Sequence, residues 1–174
     1  MDKIGIWGVT TSRGSGIGQK ITLDLINKGH EVHIFGRSKD KLENFYQNVP
    51  GIKNYFVWNL KNEKLVKDYQ NYLIENEINS IIISVGSGYG DPLIFSTLKK
   101  FQEMLNSNIL SHFLIIKSSI IPLKHLNGGR IICFGSIASI NPLEGSPGYS
   151  SSKMGFKGLI ESSRKELKQN FENI

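Results

Sequence analysis

Short segments rich in Ile and Val alternate with amphipathic segments along this chain, and this alternation restricts the folds open to it. The apolar segments lack regular polar alternation, which is typical of strands buried on both faces of a parallel sheet. Repeated strand–helix order predicts a doubly wound α/β domain with right-handed crossovers. We expect strands at Lys3–Thr10, Glu31–Phe35, Tyr55–Trp58, Ser80–Val85 and Arg130–Phe134. We expect helices at Gly16–Lys28, Lys39–Asn48, Lys64–Glu75, Ser96–Pro122 (long, or broken) and Tyr149–Asn170.

Length and composition favour one soluble globular domain spanning residues 1–174, long enough to bury a sizeable core. No apolar run reaches the roughly 18 residues of a membrane span, and the N-terminus lacks the apolar core of a secretory signal. The single cysteine, Cys133, cannot form a disulfide within the chain, so we expect a reducing cytoplasm. The net charge of +6 comes from lysines scattered among acids, which argues against nucleic acid and suits an anionic small ligand.

A glycine-rich loop, GVTTSRGSGIGQK, joins the first strand to the first helix. In this fold class that turn lies at the carboxyl end of a central strand, where ligands bind. Glycines let a pyrophosphate approach backbone N–H groups and the positive end of the helix dipole. The loop departs from the G-x-G-x-x-G fingerprint, and tight helix–strand packing is the alternative explanation. The expected phosphate-binding residues are Ser12, Arg13, Gly14, Ser15, Gly16, Ile17 and Gly18.

The end of the second strand, VHIFGRS, bears on the choice of nucleotide. A carboxylate there would bind the ribose of NAD, whereas an arginine suits the 2′-phosphate of NADP. Arg37 and Ser38 stand at this position without an acid, and Arg37 presents a planar charged fork. NADP(H) is therefore favoured over NAD(H). The alternative is an exposed arginine in a surface turn.

Three residues in the segment FGSIASINPLEGSPGYSSSK carry acid–base chemistry. Lys153 follows Tyr149 by one helical turn, so both lie on one face. A tyrosine hydroxyl titrates near 10, and a nearby ammonium favours the phenolate and lowers that pKa. Ser136 follows a strand, and its hydroxyl can polarise a substrate oxygen. A hydride must come from a cofactor, because no side chain carries one.

These motifs together resemble the short-chain dehydrogenase/reductase family. TSRGSGIG stands where the family has T-G-x-x-x-G-x-G, YSSSK is its Y-x-x-x-K, and Ser136 lies at its serine position. Asn108, in LNSNIL, stands at the family's helix asparagine. The resemblance implies a Rossmann-type, nucleotide-binding oxidoreductase that interconverts a small carbonyl and an alcohol. It further implies that Tyr149 is the general acid/base and that Lys153 lowers its pKa and binds the nicotinamide ribose. Ser136 would orient the substrate, and Asn108 would join a proton relay.

Three departures from the family pattern affect the expected cofactor contacts. Ser12 replaces a loop glycine, Ser84 and Gly86 stand within the family's N-N-A-G segment, and Asn59, followed by Leu60, replaces an aspartate near the adenine. The chain also ends where a sixth strand is expected, which would leave the Arg130–Phe134 strand as an exposed apolar edge. We expect a C-terminally shortened form that assembles as a homodimer or homotetramer.

The remaining candidates are interpreted as structural. The four histidines lack metal-ligand spacing, so no metal is expected. Cys133 lies within an apolar strand and is interpreted as a buried small hydrophobe. The alternative to an enzyme is a truncated, non-catalytic nucleotide-binding module or subunit. The sequence does not identify the substrate.

Overall fold

The computed structural model of the chain describes residues 1–10, 16–59, 64–88, 90–171 and 173–174. Five parallel strands form its sheet in the order β3-β2-β1-β4-β5. The strands are β1 (Lys3–Trp7), β2 (Glu31–Gly36), β3 (Ile52–Val57), β4 (Ser80–Ile83) and β5 (Arg130–Cys133). Because β1 lies at the centre, the turn after it opens at the middle of the carboxyl edge, where the predicted ligand site lies.

Six α-helices connect or follow these strands in the described residues. They are α1 (Ile17–Asn27), α2 (Lys39–Asn48), α3 (Leu65–Glu75), α4 (Leu98–Leu105), α5 (Ser111–His125) and α6 (Pro147–Asn170). The predicted long helix is broken: a π turn, Asn106–Leu110, separates α4 from α5. Such wide turns interrupt the regular i→i−4 hydrogen bonds and occur often at functional sites.

The core has two layers, one on each face of the sheet. On one face, Trp7 packs with Tyr69 of α3 and Ile115 of α5. On the other face, Ile6 clusters with Leu42 of α2, and Leu25 of α1 packs against that cluster. Alternate residues of each strand thus face opposite helix layers. The prediction of a doubly wound, Rossmann-type sheet with helices on both faces is confirmed.

Strand β5 lies at the edge of the described sheet, as predicted. Arg130 is exposed and Ile132 is 41% exposed, whereas Cys133 is partly buried. Burial raises the pKa of the Cys133 thiol to about 12, which keeps it protonated and weakly reactive at neutral pH. Within the described residues, no helix combines the length and the apolarity needed to cross a membrane.

Candidate active site

The Tyr149 hydroxyl lies beside Ser136 at the carboxyl edge of the sheet. Ser136 begins a short 3-10 turn after β5, and its Oγ accepts the N–H of Ala138 at 3.2 Å. Tyr149 is in the first turn of α6, which Pro147 opens, and its hydroxyl donates to Ser136 Oγ at 3.3 Å. A substrate oxygen placed between these two hydroxyls could receive hydrogen bonds from both.

Lys153 lies one turn further along α6, on the same side as Tyr149. Its Nζ is 5.9 Å from the centre of the Tyr149 ring, and the residue is only 6% exposed. Burial lowers the pKa of the Lys153 ammonium, because a charged group loses hydration there. Gly86, in the chain after β4, lies beside this Nζ, and a Cβ there would lie 3.7 Å from it, an ordinary contact distance.

Asn108 is fully buried on the π turn, and its side chain links two segments of the site. Its Oδ1 accepts the N–H of Ser87 at 2.9 Å, and its Nδ2 donates to the Ser87 carbonyl at 2.8 Å and to Ser152 Oγ at 2.9 Å. The side-chain amide thus ties the loop after β4 to α6. Both polar ends of the side-chain amide are therefore engaged in hydrogen bonds within the protein.

A second tie fixes the loop after β4 to the start of α6. The N–H of Asp91 donates to the Gly145 carbonyl at 2.9 Å, just before the first residue of α6. Lys100 Nζ donates to the buried Asp91 carboxylate at 2.8 Å and holds the pKa of that carboxyl below its usual value. Between the two ties, Gly88 packs directly on the Tyr149 ring. The loop therefore forms one wall of the site.

Two adjoining cavities form a cleft along the carboxyl edge of the sheet. One has a volume of about 460 Å³ and includes Tyr149 and Lys153 in its lining. The other, of about 310 Å³, includes Arg37 and Ser38. Both are bordered by residues 84–87, so the chain after β4 forms the floor between them. A long ligand lying across this floor would reach from Arg37 to Tyr149.

The described part of the glycine loop lies beside this floor. Gly16 precedes α1 in an extended conformation, and Ile17, the first helical residue, borders the larger cavity. A Cβ on Gly18 would lie 2.6 Å from the Gly8 carbonyl oxygen, so Gly18 serves the tight packing of α1 on β1. The N–H groups of the first turn of α1 have no acceptor within the helix and suit an anion. Ser12, Arg13, Gly14, Ser15 and Leu60 lie outside the described residues.

Seven of the predicted residues border the cleft, namely Ile17, Arg37, Ser38, Ser84, Gly86, Tyr149 and Lys153. Asn59 is exposed just beyond β3, and it is not among the described residues that border either cavity. Lys41, in the first turn of α2, borders the smaller cavity with Arg37 and was not predicted. The available signal was a lysine four residues after Arg37, in the first turn of the predicted helix Lys39–Asn48. The sequence gave no signal for Gly88, because its contact with Tyr149 depends on tertiary packing. In the described residues, no group of three or more His, Cys, Asp or Glu side chains is placed to hold a metal.

Comparisons with known proteins identify the family of the chain. Residues 8–171 match the family model for short chain dehydrogenase. The chain is 29% identical over 157 residues to the 3-oxoacyl-(acyl-carrier-protein) reductase FabG of Buchnera aphidicola, covering 87% of this chain and 63% of that relative. It thus spans less than two thirds of that relative's length.

Solved structures show the same fold at low sequence identity. A short-chain dehydrogenase/reductase from Vibrio parahaemolyticus superposes with a TM-score of 0.82 at 23% identity, covering 95% of this chain and 78% of that one. A variant of actinorhodin polyketide ketoreductase with NADPH gives 0.81 at 18% identity, covering 95% and 65%. With its family match over residues 8–171, this chain belongs to the short-chain dehydrogenase family.

Proposed function

We propose that this protein is an NADP(H)-dependent oxidoreductase that interconverts a carbonyl and an alcohol on a small substrate. One observation carries the proposal: Tyr149 donates to Ser136 at 3.3 Å, and the buried Lys153 lies on the same side of α6. Tyr149 and Lys153 border a cavity of about 460 Å³, which has room for a nicotinamide and a small substrate. The 3-oxoacyl and polyketide reductases among its relatives support a carbonyl substrate.

The side chains supply proton transfer and orientation. The nicotinamide, when bound, supplies or accepts the hydride. In reduction, Ser136 and Tyr149 donate hydrogen bonds to the carbonyl oxygen, and the Tyr149 proton passes to that oxygen as negative charge develops there. The Lys153 ammonium stabilises the resulting phenolate and binds the nicotinamide ribose. The main-chain carbonyl of Asn108 joins the route by which the proton is replaced.

The preference for NADP(H) rests on the basic end of the cleft. Arg37 and Lys41 both border the smaller cavity, where they would bind the extra 2′-phosphate. Ser38 also borders the smaller cavity, and Ser84 and Gly86 border both cavities, where they would lie under a bound nucleotide. Gly16, Ile17 and Gly18 open the helix whose N-terminus faces the pyrophosphate. NADPH in the actinorhodin ketoreductase structure supports this choice. Ser12, Arg13, Gly14, Ser15, Asn59 and Leu60 remain proposed cofactor contacts from the sequence.

We further propose a homodimer or homotetramer in the cytoplasm, with residues 1–174 acting as one domain. Apolar side chains are exposed along the outer faces of α5 and α6, among them Phe113 (44%), Ile121 (63%) and Met154 (40%). A second copy that covers these faces would remove this area from water. The thiol pKa of Cys133 fits a cysteine with no redox role.

The decisive experiment compares Tyr149→Phe with the wild type in NADPH oxidation against a panel of aldehydes and ketones. The variant should lose turnover by about 100-fold or more, since general acid–base groups contribute about 10²–10⁴-fold. NADPH affinity should stay within about twofold, because the ring remains. Tyr46→Phe, on α2, serves as the matched control and should behave as wild type. Tight NADPH binding without turnover of any carbonyl by the wild type would instead identify a nucleotide-binding module.

A further inference from the structure

Three consecutive serines, Ser150–Ser152, separate Tyr149 from Lys153, and the proposed mechanism uses none of them. They lie inside α6 and do not cap it, since the helix begins at Pro147. Serine within a helix is neutral to unfavourable, because its hydroxyl competes for backbone groups. The first and third serines are nevertheless buried, at 3% and 0% exposed, whereas the second is exposed. Their presence beside the active site calls for a reason other than helix formation.

Helix geometry places the outer two serines on either side of the face of α6 that carries Tyr149 and Lys153. Successive residues of an α-helix are turned by about 100°, so Tyr149 and Lys153 lie within about 40° of each other. Ser150 and Ser152 each lie about 80° from the middle of this face, on opposite sides. Ser151 lies directly behind the face. The two flanking hydroxyls are therefore placed to bind whatever packs on each side of it.

On one side, Ser152 joins the π turn to the first turn of α6. Its Oγ donates to the Tyr149 carbonyl at 2.7 Å and accepts a hydrogen bond from Asn108 Nδ2 at 2.9 Å. The same Asn108 amide binds both main-chain polar groups of Ser87. Through Ser152, the loop after β4 and the backbone of Tyr149 therefore share one hydrogen-bond network.

On the other side, Ser150 holds the segment between β5 and α6. Its Oγ accepts the N–H of Leu143 at 2.9 Å, and the Leu143 carbonyl accepts the N–H of Ser146 at 3.3 Å. Both backbone polar groups of Leu143 are thus engaged. Its side chain is 41% exposed and borders the larger cavity together with Tyr149. An apolar side chain held in this way presents a fixed wall to a ligand in that cavity.

We propose that Ser150 and Ser152 are positioning residues that fix the two walls of the active site to the helix that carries Tyr149. Ser152 sets the position of Tyr149 relative to the loop after β4. Ser150 fixes Leu143 as an apolar contact for the group attached to the substrate carbonyl. These catalytic consequences rest on the proposed function. The two ties do not rest on it, and they can be measured without any substrate.

Ser151 provides the matched control, because it is a serine of the same helix turn without a tie to either wall. Its hydroxyl donates to the Pro147 carbonyl at 2.7 Å and lies 3.2 Å from the Gly148 carbonyl, and both carbonyls belong to α6. Ser151→Ala therefore removes a hydroxyl from α6 and leaves the contacts of the two walls in place.

The first test measures backbone amide exchange by ¹⁵N NMR on the chain without substrate. Ser150→Ala should raise the exchange rate of the Leu143 N–H by about twofold to tenfold, the contribution of one hydrogen bond, and leave that of Ser87 unchanged. Ser152→Ala should do the reverse, because the amide that binds Ser87 loses its anchor. If that variant unfolds, Ser152→Cys keeps the shape with a weaker hydrogen bond. Ser151→Ala should change neither rate. If either tie's variant exchanges as the wild type does, the proposal is overturned.

The second test separates positioning from helix stability through kcat and KM, measured with the aldehyde or ketone that the wild type reduces fastest. Ser152→Ala should lower kcat by about tenfold and leave KM within about twofold, since it displaces Tyr149 and not the substrate contact. Ser150→Ala should raise KM by about twofold to tenfold at unchanged kcat, since it loosens the wall that Leu143 presents. Ser151→Ala should behave as the wild type. Equal losses in all three variants indicate a role in helix stability and refute the proposal. Absence of turnover in the wild type refutes the proposed function alone, since the exchange rates still decide the ties.

Discussion

Gly88→Ala should damage the active site while leaving the fold intact. A Cβ built on Gly88 would lie 2.8 Å from both Cδ2 and Cε2 of the Tyr149 ring, whereas an ordinary contact begins at 3.4 Å. Gly88 does not have a positive φ, so an alanine fits its backbone. The lower entropy of alanine in the unfolded chain contributes about 0.4–1 kcal/mol, which offsets part of the cost of moving the ring and keeps the overall stability close to that of the wild type. The added methyl group must therefore be accommodated by the ring.

The expected loss of activity follows from the size of this displacement. The ring must move by about 0.6 Å to restore an ordinary contact. The Tyr149–Ser136 bond, already 3.3 Å long, lies near the limit for hydrogen bonding between hydroxyls. A misplacement of about 1 Å in an active site can cost about 100-fold. We therefore expect kcat/KM to fall by roughly tenfold to 100-fold, or about 1.4–2.7 kcal/mol of transition-state stabilisation.

Gly90→Ala provides the matched control on the same loop. A Cβ there meets no described atom within 4 Å, and its φ is not positive either. Both variants should bind NADPH as the wild type does and unfold in urea at similar midpoints, but only Gly88→Ala should lose turnover. Equal kcat/KM in the two variants would show that the ring does not depend on this contact. A large loss of stability in Gly88→Ala alone would likewise refute the reasoning.

Three other predictions test the nucleotide site, the packing and the pH response. Arg37→Ala should weaken NADPH binding by about tenfold to 100-fold, which is the contribution of a hydrogen bond to a charged group. In fluorescence titrations the same variant should bind NADH as the wild type does. Equal losses of affinity for both nucleotides would exclude a contact between Arg37 and the 2′-phosphate. Gly18→Ala should lower the free energy of unfolding by about 1–3 kcal/mol, because the added methyl group meets the backbone between β1 and α1. Gly158→Ala is the control: its methyl group meets no described atom within 4 Å, so it should raise the free energy of unfolding by up to about 1 kcal/mol. If urea unfolding ranks the two variants in the opposite order, the packing argument is wrong. Because burial on α5 depresses the pKa of His112 to about 4 in the folded state, the unfolded state binds the extra proton first, and stability is lost as pH falls from about 6.5 to 4. Over that interval the free energy of unfolding of the wild type should fall by on the order of 3 kcal/mol more than that of His112→Gln. Equal losses for the two proteins in acid unfolding curves would argue against a depressed pKa of His112.

The hydrophobic pattern predicts most helices and strands because burial determines both. Helix α2 has its predicted bounds, Lys39–Asn48. The first strand ends earlier than predicted because Gly8 turns the chain with φ +89, yet Val9 remains buried beyond the strand, at 1% exposed. The apolar side chain of Val9 therefore indicates a buried position, and not that the residue belongs to a strand. Strand β3 begins at Ile52, three residues before its predicted start at Tyr55. The prediction missed these residues because two of them are polar and exposed on this edge strand, so the apolar pattern begins later.

Local spacing also explains which parts of the site are predictable. Tyr149 and Lys153 are separated by one helical turn, so the sequence alone places them on one face. The break between α4 and α5 at the π turn is not predictable from composition, because its residues would equally suit a regular helix. The contacts of Lys41, Gly88 and Ser152 join segments distant in the chain. They depend on how helices and loops pack, which a single sequence does not specify.

The loop over Tyr149 is held on both sides of Gly88, and this decides how the site responds to change. Asn108 binds both backbone polar groups of Ser87, and Asp91 is tied to Gly145 and to Lys100. A loop held at one end could swing away from a new side chain, but one held at both ends cannot retreat without breaking buried hydrogen bonds. Breaking such bonds costs about 1–3 kcal/mol for each group left unpaired. Rotation of a ring that borders an open cavity costs less, so strain in this loop is transmitted to Tyr149.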